Sequence, residues 1–231
     1  MRFPFLRRGL AVAGLALLAV SPAVNAQVVI NFDDQAVAPG TAQFPGNTYA
    51  GSGVSFTSGN ITNTVAVGDT ITLFDAISQF TIANNPAASI SGTNFGVTAF
   101  GVNTTDVLFG FSTPVTAAQL TTDDQAGEVG DVVRLLALAP TANPNEFTVL
   151  ALAQGLDDAT TSPANLLSVS LPGNLPFSFA LFQTTTELEG FDDLTFTPAA
   201  PAAAIPEPGT LALLLVGSLT TGAGVLRRRR A

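Results

Sequence analysis

The 231-residue chain has no histidine, cysteine, lysine or tryptophan, and a single tyrosine. Each absence removes a chemistry. Without His or Cys there is no Ser-His-Asp triad, no cysteine nucleophile and no ordinary zinc site. Without Lys there is no Schiff base, no Ser-Lys dyad and no P-loop lysine. The lack of disulfides is neutral about export. Carboxylate chemistry, hard-cation binding and non-enzymatic roles remain.

Basic charge is scarce and unevenly placed. The eight basic residues are all arginine: Arg2, Arg7, Arg8, Arg134 and Arg227 to Arg230. Of the 17 acids only Glu207 lies outside residues 27–205, so the middle carries 16 acids against Arg134, a net charge of −15. Such a body repels phosphate backbones, which excludes nucleic acid as a partner. The asymmetry between ends and middle points to targeting segments.

Residues 1–26 have the three parts of a secretory signal peptide. Arg2, Arg7 and Arg8 form the basic region, Leu10 to Val20 the apolar run, and Ser21 to Ala26 the short polar region. Small Val24 and Ala26 set cleavage by signal peptidase between Ala26 and Gln27. A core helix would rarely sit behind three arginines.

The other end also has an ordered sequence of parts. A Pro/Ala linker, 198–205, leads into a segment 206–231 that starts with Pro206-Glu207-Pro208. An uncharged stretch, 211–226, follows, and then Arg227 to Arg230. As a helix, 211–226 rises about 24 Å, slightly short of a roughly 30 Å hydrocarbon core. The arginines would stay cytoplasmic and the Pro-Glu-Pro outside.

The run Ile205 to Thr210, a short apolar helix and a terminal Arg cluster together resemble the PEP-CTERM sorting signal of Gram-negative bacteria. The same segment is also known as the ice-binding protein C-terminal domain. The resemblance covers about 25 residues. It implies that an exosortase in the inner membrane recognises Pro206, Glu207 and Pro208 and removes the tail. It further implies a transient anchor through 211–226, then residence in the cell envelope or in extracellular exopolysaccharide. No Leu-Pro-x-Thr-Gly sortase signal is present.

Between the ends, 27–197 reads as one all-β domain, a jelly-roll-like β-sandwich. Short β-rich runs punctuated by Gly, Pro, Asn and Asp recur with no helical periodicity. The expected strands are 28–32, 53–57, 61–67, 70–74, 79–83, 95–100, 107–112, 115–120, 131–139, 146–153, 166–171, 177–183 and 193–197. Residues 131–153 form a hairpin about the turn-rich Pro140 to Asn145 connector. Alternation such as Phe177-Ser178-Phe179 assigns the phenylalanines to a core rather than to a sugar-stacking platform, which favours Trp or Tyr. Thr-x-Thr pairs at Thr62/Thr64, Thr70/Thr72 and Thr195/Thr197 follow no fixed period, so an ice-binding ladder is not indicated.

The sharpest chemical feature is four Asp-Asp pairs: Asp33-Asp34, Asp123-Asp124, Asp157-Asp158 and Asp192-Asp193. Adjacent carboxylates with no nearby cation repel unless solvated or metal-bound, and Ca²⁺ suits them. The first pair ends the first strand and the last pair opens the final one. In many extracellular jelly rolls those strands are neighbours, so Asp33, Asp34, Asp192 and Asp193 are expected to share a structural Ca²⁺. The motifs Asn31-Phe32-Asp33, Tyr49 to Phe56 and Phe191 to Phe196 also resemble the bodies of PEP-CTERM sandwich proteins and of carbohydrate-binding jelly rolls. Glycoside hydrolysis needs two facing carboxyls about 5–9 Å apart. Glu128, Glu146, Glu187 and Glu189 show no cleft signature, and Arg134 is expected beside Asp131. The reading is therefore a non-enzymatic structural or adhesive protein. The alternatives are a carbohydrate-binding module or a carboxylate-dependent polysaccharide hydrolase.

Overall fold

The computed structural model describes residues 26–43, 48–61, 65–77, 80–84, 91–97, 106–123, 129–158, 165–184 and 190–201. The chain divides into two compact units, Met1–Ala199 and Ala200–Ala231. Residues 1–25 of the expected signal peptide, Pro206-Glu207-Pro208 and the 211–226 stretch lie outside the described residues. Among those described, no helix is long and apolar enough to cross a membrane.

The first unit is all-β. Its strands are β1 (Val28–Ile30), β2 (Ala42–Gln43), β3 (Val54–Asn60), β4 (Thr70–Thr72), β5 (Phe74–Ile77), β6 (Thr81–Asn84) and β7 (Asn94–Val97). They continue with β8 (Asp106–Asp123), β9 (Val129–Pro140), β10 (Glu146–Asp158), β11 (Asn165–Ser170), β12 (Phe177–Thr184) and β13 (Gly190–Pro198). Two short 3₁₀ turns, Thr48–Ser52 and Pro172–Asn174, interrupt them. The pairing is antiparallel throughout, in the order β2-β6-β7-β13-β8-β12-β9-β10-β4. β1 lies on β13, β11 and β3 on β8, and β5 on β3. This curled sheet is a β-sandwich, in agreement with the sequence.

The 18-residue strand β8 joins its two halves. Its first part, Asp106 to Phe111, runs between β3 and β12, and its last part, from Val115, between β11 and β13. Two strands are expected here from the sequence, 107–112 and 115–120, with Thr113-Pro114 between them. Instead the backbone stays extended while it changes neighbours, and Pro114, which has no N–H to donate, falls at the exchange. Ser112 N donates to Gly53 O at 2.9 Å, and Pro114 O accepts from Ala199 N at 2.7 Å.

Other boundaries also moved. In the 61–67 run the described residues, 61 and 65–67, are not in a strand: Ile61 and Val65 are buried, yet Ile61 N and Ala66 N donate to the Asp106 and Asp69 side chains. The 70–74 run breaks at Leu73, because β4 pairs with β10 whereas β5 pairs with β3. The first strand stops at Ile30, since Phe32 takes a left-handed φ of 58°. The hairpin is observed as expected, with β9 and β10 paired from Pro140↔Phe147 down to Val129↔Asp158.

Period-2 alternation explains the core. On β9, Val133, Leu135 and Ala137 enter the larger apolar cluster, while Leu136 and Leu138 face a second one with Ile71, Leu73, Phe147 and Leu181. The larger cluster is aromatic at its centre. Phe32, Tyr49, Phe56, Phe80, Phe109, Phe182 and Phe191 pack edge-to-face or tilted at 5.2–6.5 Å, and Phe56 and Phe80 stack at 4.1 Å. Core filling is thus the role of these rings.

Candidate functional site: the acid pairs of the terminal strands

β1 and β13 are neighbours, with Val28↔Phe196, Val29↔Thr195 and Ile30↔Leu194 in register. The pairing brings Asp33, Asp192 and Asp193 to one four-residue segment, Ser91 to Asn94, at the start of β7. From the β1 side, Asp33 Oδ1 accepts from Thr93 N at 2.8 Å and from Asn94 N at 3.0 Å. Asn94 answers by donating through Nδ2 to Phe32 O at 3.1 Å and Gln35 O at 2.9 Å. The left-handed Phe32 makes this exchange possible, because it buries its ring and turns the following carboxylate toward Thr93. Asp34 lies outward and accepts from Tyr49 Oη at 2.6 Å. Burial, and then the Asp34 hydrogen bond, raise the Tyr49 phenol well above its ordinary range.

From the β13 side, Asp192 Oδ2 accepts from Ser91 N and Ser91 Oγ, each at 2.9 Å. Asp192 Oδ1 accepts from Asp193 N at 2.8 Å. A bulge between Asp192 and Thr195, with Asp193 at φ 50°, lets both side chains of this pair approach Ser91. Ser91 Oγ also stands 3.0 Å from Asp193 Oδ1. A hydroxyl has one proton, so with both acids ionised only one of its two carboxylate contacts is a hydrogen bond. A proton on Asp192 completes the chain.

Burial is the main reason that Asp192 is pushed up to about 6; the Ser91 and Asp193 donors oppose it, and the Asp193 charge adds to it. The sign follows. Above its ordinary value of 3.8 and below about 6, the folded protein holds more protons than the unfolded chain, so stability falls as pH rises through that window. The wild-type melting temperature should therefore drop by roughly 3–6 °C between pH ~4 and pH ~6.5 relative to Asp192→Asn. Parallel profiles from thermal denaturation across that range would contradict it.

The four residues expected to hold calcium do not surround one point. Among the described residues, no group of three or more His, Cys, Asp or Glu is placed to hold a metal ion. The carboxylates instead take N–H and O–H donors from the fold, so this donor set does not fit a single structural Ca²⁺. We expect melting temperatures in excess Ca²⁺ and in EDTA to agree within about 1 °C, because a ligand without a native-state site adds no stability. A calcium-dependent rise of several degrees would overturn that.

The remaining candidates divide. Of the glutamates considered for hydrolysis, Glu146 opens β10 and accepts from Thr141 Oγ1 at 2.7 Å and Asn143 Nδ2 at 3.1 Å, which lowers its pKa. Glu128, Glu187 and Glu189 lie outside the described residues, as do the side chains of Asp123, Asp124, Asp131, Asp157 and Asp158. Arg134 bonds two glutamines on the flanking strands, Gln154 Oε1 at 2.9 Å and Gln183 Oε1 at 3.0 Å. Ala26 and Gln27 are exposed just before β1.

Two residues of this region escaped sequence reasoning. Asn84 and Asn94 are cross-strand partners on β6 and β7, both buried, and their amides hold the 32–37 loop through Phe32 O, Gln35 O and Val37 O. Asn in a β-rich run was the available signal, since an amide at a central strand position implies a backbone partner.

No protein-family model matches this chain, and no curated protein matches it. Among solved structures it is similar to the K2 cleaved adhesin domain of Lys-gingipain, with 14% identity and a TM-score of 0.39. That similarity covers 74% of this chain and 99% of the other.

Proposed function

We propose that the chain is an exported, non-enzymatic protein of the bacterial envelope or its exopolysaccharide matrix, released by signal peptidase and sorted by an exosortase through Pro206-Glu207-Pro208. The observation that supports this reading is where the first and last strands begin and end. Val28 pairs with Phe196, so the start of β1 and the end of β13 lie at one end of the sheet. Gln27 and Ala199 lie just beyond the paired residues of the two strands. Cleavage after Ala26 and removal of the tail would both leave every ladder intact. A body tethered from one end and cut at that end keeps its fold on release.

A structural or adhesive role is supported by how the acids are used. The carboxylates of Asp33, Asp34, Glu146, Asp192 and Asp193 hold turns or strands of the domain itself. Mass spectrometry of the mature protein from its native cells tests the reading. The expected species begins at Gln27 and lacks 211–230; a fully retained tail would leave a permanent anchor and contradict exosortase processing.

A neutral saccharide ligand is the second reading. A depression of about 250 Å³ lies between β3 and β8, with Ser55, Gly110, Ser112 and the half-buried Phe179 in its wall. A Cβ on Gly110 would come within 2.8 Å of Ser55 Oγ, so the glycine keeps the wall low there. A glycan array decides between ligand binding and a purely structural role.

A further inference from the structure

Alternation along β3 and β8 sends their side chains to two opposite faces. Val54, Phe56, Phe109 and Phe111 enter the larger core, so Ser55, Thr57, Leu108 and Gly110 take the other face. On that face Phe179 is in register with Gly110, and Leu181 with Leu108. The second apolar cluster covers Leu108 and Leu181. The next rung is left open: Ser55 is exposed there and Phe179 is half-buried.

Two depressions meet on this rung. The one of about 250 Å³ described above has Ser55, Gly110 and Ser112 in its wall. A second, of about 510 Å³, is bounded by Thr57, Asn143, Asn145 and Phe147. Phe179 lines both, so they are successive parts of one groove. From Gly53 to Thr57 the groove follows β3 for about 13 Å, longer than a single pyranose ring. The Phe179 ring is held on one side by Phe147, with 5.2 Å between centroids. It leans over Gly110, where a Cβ would lie 3.4 Å from Phe179 Cε1.

The lining selects the ligand. Among the described residues that line the groove, Glu146 alone is charged, and Thr141 and Asn143 already hold its carboxylate. Asn145 O accepts from Leu73 N at 2.8 Å, so the turn is fixed before any ligand arrives. The side chains of Thr57, Ser112 and Asn145, by contrast, make no hydrogen bond within the described residues. A ligand in the groove meets one aromatic face and a few uncharged donors and acceptors. That fits a chain of hydroxyls and offers nothing to balance a charge.

We propose that this groove binds a run of an uncharged polysaccharide chain. Phe179 lies under one sugar, with Ser55 and Ser112 beside its neighbour on one side and Thr57 and Asn145 on the other. This rests on the saccharide reading given above and extends it, since that reading needs only the smaller depression.

Isothermal titration calorimetry of the full chain tests it. The probes are cellohexaose, laminarihexaose, maltohexaose and mannohexaose, with their monosaccharides and hexagalacturonate for comparison. A neutral hexamer should bind roughly tenfold or more tighter than its monosaccharide. Phe179→Ala should abolish that binding. Thr57→Val keeps the side-chain shape, and Asn145→Gly suits the φ of 57° at that position. Each should weaken the hexamer by roughly three- to tenfold while the melting temperature holds. A hexamer no tighter than its monosaccharide, or one that both of these variants bind like wild type, overturns the extended groove and leaves a saccharide site in the smaller depression. No binding of any neutral probe, or a preference for hexagalacturonate, overturns both. A sugar-independent doubling of mass that Phe179→Ala abolishes identifies a second copy as the occupant and also overturns the proposal.

Discussion

Phe191→Ala should unfold the domain about 10 °C below wild type, the largest effect expected from a single side chain. Phe191 is fully buried and meets Phe182 at 5.2 Å, Phe109 at 5.4 Å and Phe32 at 5.6 Å. It is a common neighbour of rings from the turn after β1, from β8 and from β12. Truncating a buried Phe costs about 3–5 kcal/mol, transfer and cavity terms together. In a domain of this size each kcal/mol moves the melting temperature by about 2–4 °C. Gly96 lies directly beneath the ring: a Cβ there would be 2.6 Å from Phe191 Cζ. Gly96→Ala should therefore destabilise wild type but cost much less when Phe191 is already Ala. Urea denaturation of the four proteins gives the coupling directly. Additive single-mutant effects would show that the ring and Gly96 do not share this space.

The second large effect is expected at Gly92. Its φ of 63° is one that side chains rarely adopt, and a Cβ there would overlap the Asp33 carboxylate. Asp33 cannot move away at no cost, since its Oδ1 satisfies Thr93 N and Asn94 N. Gly92→Ala thus combines left-handed strain with two backbone donors losing their acceptor. Together these cost about 2–4 kcal/mol. Thermal denaturation should show a loss of roughly 5–12 °C. Asp33→Ala, which frees the space but still removes the acceptor, should recover only part of that loss when added to Gly92→Ala. An unchanged melting temperature in Gly92→Ala would mean that the clasp around Ser91 to Asn94 is not holding β7.

Much of the fold was legible because alternation reports burial. Runs such as Glu146 to Val149 and Leu166 to Ser170 alternate with period 2, and they lie in strands. The adjacency of first and last strands was also anticipated and is observed. What failed were places where burial and pairing part company. Ile61 and Val65 are buried as their alternation requires, but their backbone forms no ladder. Thr113-Pro114 separated two expected strands, yet it is where one extended strand changes partners. Periodicity describes which face a side chain takes; it carries no information about which strand lies alongside.

The same distinction separates what the sequence by itself determined from what only the tertiary structure decided. Composition alone excluded most nucleophilic and zinc chemistry, because an absent residue type is absent in every fold. The ordering of basic, apolar and Pro-Glu-Pro segments at the ends likewise needs no coordinates to be read. The acid pairs were different. Their proximity and excess charge suggested a cation, since charge in a sequence is visible and backbone donors are not. Folding supplied Ser91 N, Thr93 N and Asn94 N from a segment about sixty residues beyond Asp33 and a hundred before Asp192. At Asp33 two N–H donors converge on one carboxylate oxygen, whereas at Asp192 burial outweighs the donors it finds. Only the packing of β7 beside β13 made those donors available.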